Sequence, residues 1–282
     1  MKGIMGIGHV AYNVSNMKAS LEFYVGKLGF THSFSIPRDD GTPWIEYLHV
    51  APGQFIELFY SDEAPAGGYY NHLCLQVEDC AAAVEALREN GVVIDEPFRA
   101  DGLHRILYQC PHCGAENEME GKGTALTCHH CGKSWELGVY GDLSAEDGET
   151  EFSHIPDWYA WERKQVREEL GNGSYSLETD VSIGVLADYK ALYLVGDGHL
   201  SHSADGFVLD GCDGALHYEQ KPLASYSLYS DYFWYERSDV ICIGNGDRLY
   251  YCFPKENVPV AKTRMAAEEL YKLKRRRRKA KE

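Results

Sequence analysis

YQCPHCGAENEMEGKGTALTCHHCGKSW, residues 108–135, sets two residues between Cys110 and Cys113, two between Cys128 and Cys131, and fourteen between the pairs. Each pair places two thiolates on one tight turn. The intervening segment, with Gly121 and Gly123, is long enough to form a short hairpin that brings both turns to one tetrahedral ion. This is the signature of a four-cysteine zinc ribbon, assigned here to residues 103–143, with one structural Zn2+.

The ribbon interrupts a repeat. His9 opens HVAYNVSNMKASLEFYVGKLGF, and 63 residues later His72 opens HLCLQVEDCAAAVEALRENGVV. In each copy an alternating strand (His9 to Val14, His72 to Val77) meets a capping residue, Ser15 or Asp79, and then a helix with apolar spacing and a glycine exit. The first copy continues through strands near Thr31–Ile36, Trp44–His49 and Gln54–Tyr60. The second runs out near Asp101.

The segments GIGHVAYNV, FYVGKLGF, QFIELFY and NHLCLQVED resemble the vicinal oxygen chelate superfamily, which includes glyoxalase I, extradiol dioxygenases and the bleomycin- and fosfomycin-resistance proteins. The resemblance covers residues 1–102. It implies two βαβββ modules closing a cup around a divalent metal, here with the second module truncated. Position by position it implies His9 and Glu57 as ligands from the first module and His72 from the second, with Glu57 also the proton-shuttling catalytic residue. The glutamate that would complete the second module has no evident counterpart.

The residue types agree with that assignment on their own chemistry. Two imidazoles and one carboxylate leave coordination positions open for water or substrate, as catalysis by Zn2+, Ni2+, Mn2+ or Fe2+ requires. The plainer reading is a half-buried strand histidine beside an outward glutamate. A fourth ligand is sought at Glu120, 48 residues after His72, or at Glu136 in the SWEL strand, although Glu116, Glu118 and Glu120 also fit the solvated face of the ribbon hairpin. A second chain is the other source, and a homodimer through the N-terminal domain is expected.

After an acidic linker, IPDWYAWERKQVREEL reads as a helix from Pro156, followed by eight short strands between Tyr175 and Phe253 and a helix Val258–Leu273. The expected fold class is therefore α+β: a paired βαβββ domain (1–102), the ribbon (103–143), and a pleckstrin-homology-like antiparallel β-barrel plugged by a C-terminal helix (144–273). Residues 107–273 also resemble the zinc-ribbon and β extension of some bacterial 1-acylglycerol-3-phosphate acyltransferases, but none of the twelve histidines is followed five positions later by the aspartate of the acyltransferase motif. Gly132-Lys133-Ser134 lacks the first glycine of a phosphate-binding loop, because Thr127 stands there.

Net charge is −16. Eight of the 27 basic residues and one of the 43 acidic ones fall in 272–282, leaving 19 against 42, or −23, in the rest. Such a body disfavours nucleic acid. The basic segment 274–282 reads as a solvated end capable of weak contact with an anionic membrane surface. No apolar run approaches the ~20 residues of a membrane span, and His9 and Asn13 fall where a leader would need an apolar core. A cytoplasmic location follows, with Cys74, Cys212, Cys242 and Cys252 as reduced thiols packed in strands.

Two functions compete. One is a metal-dependent small-molecule enzyme of the glyoxalase or dioxygenase type, similar to lactoylglutathione lyase, fused to a zinc ribbon. The other is a non-catalytic adaptor that docks through the ribbon and barrel. A join of pieces from two proteins near Gly102 would also give this order of segments.

Overall fold

β1 (His9–Val14) lies parallel to β4 (Gln54–Tyr60), with His9 opposite Phe55 and Ala11 opposite Glu57. Between them run α1 (Met17–Leu21), which widens into a π-helical turn over Glu22–Lys27, then β2 (Thr31–Pro37) and β3 (Pro43–Ala51). The strand order is β1-β4-β3-β2. This is one βαβββ module. The N-cap is Asn16, whose side chain accepts the Ala19 N–H, and not the expected Ser15.

Alternation splits the sheet cleanly. Leu48, Ile56 and Leu58 point to one face and bury against Met17, Leu21, Tyr24 and Phe30. His9, Tyr47 and Glu57 point to the other, where the His9 and Tyr47 rings meet edge to face at 6.0 Å and Tyr47 stacks on Phe34 at 4.3 Å.

The computed structural model describes residues 9–62, 77–187, 191–234, 238–245 and 248–279. The chain divides into two units, residues 1–93 and 94–282. Of the second module, α2 (Cys80–Glu89) forms with Asp79 as its cap, accepting the Ala82 N–H at 3.0 Å. His72 and most of its expected strand lie outside the described residues. Residues 92–102 form no strand.

The second unit begins with a four-stranded antiparallel meander, β5 (Met119–Lys122), β6 (Ala125–Cys128), β7 (Ser134–Leu137) and β8 (Leu143–Ala145). α3 (Ile155–Asn172) carries Pro156 in its first turn and stops at Gly173, whose φ of 79° supplies the left-handed exit. Seven strands then form one sheet: β9 (Leu177–Ala187), β10 (Ala191–Ser203), β11 (Gly206–Gly211), β12 (Leu216–Gln220), β13 (Tyr229–Trp234), β14 (Ser238–Gly244) and β15 (Leu249–Pro254). α4 (Val260–Lys279) closes the described chain.

The order β12-β11-β10-β9-β15-β14-β13 leaves β12 and β13 as edges, so the expected barrel is not closed. The sheet curls without joining: Gln220 on β12 accepts the Gly244 N–H of β14, and the rings of Tyr218 and Tyr250 approach to 5.1 Å. Short edge strands of five and six residues protect the ends where closure would otherwise be needed. Two expected strands, Tyr175–Asp180 and Val181–Asp188, are one, because Asp180 sits mid-strand with its carboxylate on His199 (2.9 Å). Among the described residues no helix is long and apolar enough to cross a membrane.

Candidate metal centres

In the second unit the two cysteine turns are built alike. The Cys110 N–H donates to the Ala115 carbonyl (2.8 Å) and the Gly114 N–H returns to the Cys110 carbonyl (2.9 Å). At the other knuckle, Cys128 N–H donates to Lys133 (2.9 Å) and Gly132 N–H to Cys128 (2.8 Å). Both glycines have φ of 78°, a conformation that a side chain would strain.

The four Sγ atoms lie within 4.8 Å of one another. Cys110–Cys131 and Cys113–Cys128 are each 3.8 Å apart. A thiolate tetrahedron around zinc, with Zn–S near 2.3 Å, has edges of about 3.8 Å, so the donor set fits that ion in type and spacing. Burial pushes the Cys110 and Cys128 thiols up. Four thiolates at this spacing need a cation to hold them ionised.

The centre is seated on a core of Leu107, Leu126, Trp135, Leu137, Leu143 and Trp158. Trp135 and Trp158 meet at 5.0 Å between centroids. The Trp158 indole donates to the Gln109 carbonyl (3.0 Å), and Glu162, one turn further along α3, accepts the Gln109 N–H (2.9 Å). Thus α3 grips the residue before the first ligand from both sides of its peptide chain. Burial pushes the Glu162 carboxyl up to about 9, and among the described residues its second oxygen has no hydrogen-bond partner.

Sequence reasoning missed Glu162, although it left a signal. The spacing Trp158, Glu162, Val166 places a carboxylate on the buried stripe of α3, and all three are buried. Another network beside the ribbon was also missed: Glu151 accepts from Lys133 (2.6 Å) and the Trp135 indole (3.1 Å), with His112 Nδ1 at 3.1 Å.

The first unit holds a different pair of donors. His9 Nε2 stands 3.4 Å from Glu57 Oε2, with side-chain exposures of 51% and 8%. The parallel register makes this contact diagonal, since Glu57 lies two residues beyond the partner of His9 on the same face. Donors bound to one ion at about 2.1 Å are separated by about 3.0–3.4 Å, so the two can share a divalent cation. Among the described residues no third histidine, cysteine or carboxylate joins them in a metal-sized group. His72 lies outside the described residues.

The candidate fourth ligands are engaged elsewhere. Glu120 meets His129 at 3.0 Å, and Glu136 pairs with Arg99 at 3.2 Å. A further carboxylate in the first unit, Glu46, is buried on the face opposite Glu57, where it contacts His32 (2.6 Å) and Ser35 (2.5 Å).

Residues 6–112 match the Glyoxalase/Bleomycin resistance protein/Dioxygenase superfamily. Among solved structures, the glyoxalase family protein from Enterococcus faecalis is similar at 26% identity over 49% of this chain and 92% of that chain, with a TM-score of 0.27. No curated protein matches the chain.

Proposed function

We propose that the N-terminal unit is a metal-dependent enzyme of the glyoxalase or dioxygenase type, with His9, Glu57 and His72 as ligands of a divalent ion and a small molecule as substrate. The observation that carries this is the 3.4 Å approach of His9 Nε2 to Glu57 Oε2 on the face of the βαβββ sheet opposite the Leu48, Ile56 and Leu58 side. It falls within the superfamily match over residues 6–112, which also contains His72. Bound there, the ion would polarise adjacent oxygens of a substrate. Glu57, nearly buried beside the aromatic rings of Tyr47 and Phe34, would hold or move a proton at the neighbouring carbon. The sheet edge at β1 has no partner on its outer side among the described residues, and a second copy of the chain would complete the cup there.

The adaptor reading keeps one supporting observation. Residues 92–102, where the second module should continue in strands, form none.

The test is a count of metal equivalents. Chelator-treated protein, refilled with zinc and then titrated with nickel, manganese or ferrous iron, should take up one ion beyond the ribbon's. His72→Ala and Glu57→Gln should each abolish that second equivalent and spare the first. Saturation at one equivalent in the unmodified chain would overturn the enzyme reading and leave the adaptor.

A further inference from the structure

The last turns of α4 carry Lys272, Lys274, Arg275, Arg276, Arg277, Arg278 and Lys279. Along the helix burial changes abruptly: Met265–Leu270 are buried, Tyr271–Lys274 are half-buried, and Arg275–Arg278 are exposed. Successive helical residues point about 100° apart, so four exposed residues in a row mean that no side of the helix is covered. Residues 275–278 form an exposed helical end of α4.

Among the described residues, Lys272 pairs with Glu269 (2.8 Å), while Lys274, Arg275, Arg276 and Arg277 make no ion pair. Residues 274–279 rise by about 9 Å, roughly one Debye length at physiological salt, which screens the tip from the −23 charge behind it. The cations also lie at the negative end of the helix dipole, which helps this end of α4 to stay helical.

Aromatic rings stand at the base of this helical end. Tyr226 meets Tyr271 edge to face at 5.4 Å, with Lys272 Nζ 5.8 Å from the Tyr226 ring centre and Arg275 6.0 Å from that of Tyr271. Tyr226 is 52% exposed, and Leu223, three residues earlier, is also exposed.

We propose that this end of α4 docks the protein on an anionic phospholipid bilayer, the arginines meeting headgroup phosphates and Tyr226 and Leu223 entering the interfacial layer. The combination selects a bilayer over other polyanions. Tyrosine favours the headgroup level, and an exposed leucine gains there what a phosphate backbone does not offer.

The full chain is mixed with vesicles of phosphatidylcholine alone, with vesicles containing phosphatidylglycerol, and with duplex RNA at the same salt. Sedimentation with the anionic vesicles alone is expected, weakening as salt is raised. Replacing Arg275–Arg278 by glutamine should lower that affinity about 10²–10³-fold, roughly fivefold per charge. Because those side chains are exposed, the thermal midpoint should not move. Tyr226→Ser should cost several-fold on vesicles. Absence of vesicle binding, tighter binding to RNA, or undiminished binding of either variant would each overturn the proposal.

Discussion

Replacing Glu162 by glutamine should flatten the pH dependence of stability in the second unit. The carboxyl is buried between Trp158 and Val166 with one oxygen on the Gln109 N–H and the other, among the described residues, without a hydrogen-bond partner, and burial lifts it from an ordinary value of 4.5 to about 9. Between those values the folded chain holds a proton that the unfolded chain releases. Stability contributed by this group is therefore present in acid and falls as pH rises through the window, by about 1.4 kcal/mol per pH unit. From pH 6 to pH 8 the natural protein should lose about 3 kcal/mol relative to Glu162→Gln. Glutamine keeps a carbonyl for Gln109 and has no charge to bury. Other titrations, including that of buried His202, which burial pushes down to about 3, occur in both proteins and cancel. The assay is urea unfolding of the zinc-loaded chain at pH 6, 7 and 8, followed by the fluorescence of Trp135 and Trp158. Parallel stability curves for the two proteins would refute the reasoning.

Two more outcomes follow from the ribbon. Purified protein should hold one zinc per chain, with chelation unfolding residues 107–145, since structural zinc contributes about 10–16 kcal/mol of apparent binding energy in such small sites; Cys113→Ser retaining the metal in a chelator competition would show the donor set to be misassigned. Gly121→Ala should destabilise the same segment by about 1–3 kcal/mol, because a Cβ there would sit 2.2 Å from the Ala100 carbonyl oxygen and 3.0 Å from the Leu103 nitrogen. An unchanged urea midpoint would sink that placement.

Local chemistry was legible in the sequence and tertiary closure was not. Cysteine spacing, the Asp79 cap, Pro156 and the period-two runs of β1 to β4 each act over a few residues, and each marks the element found. The β-rich segment depended on long-range pairing. Asp180 reads as a turn residue until His199 is placed beside it across the ladder, and the strand sought at Ser225–Tyr229 forms instead at Tyr229–Trp234. α4 runs six residues past its expected end because the basic residues are good helix formers at a favourable end of the dipole. The diagonal approach of His9 to Glu57 needs the parallel register of β1 and β4, which sequence periodicity leaves open.

The ribbon has consequences beyond its own four sulfurs. Its first ligand is delivered by a segment that α3 holds through the Trp158 indole and the Glu162 carboxyl. α3 is also tied to α4: Arg163 reaches Glu268 (2.7 Å), Arg167 reaches Glu269 (3.0 Å), and Lys262 is shared by Glu116 of the ribbon and Glu169 of α3. The first turns of α4 pack through Ala261, Met265 and Ala266 with Tyr108 and Tyr175. A chain of packed contacts thus leads from the four cysteines through α3 to the helix that contacts β13 and β14. Loss of the metal would free Leu107–Cys110, release the buried Trp158 and Glu162 from their backbone partners, and loosen the ion pairs that set α4. The four-cysteine centre is therefore placed to organise the second unit.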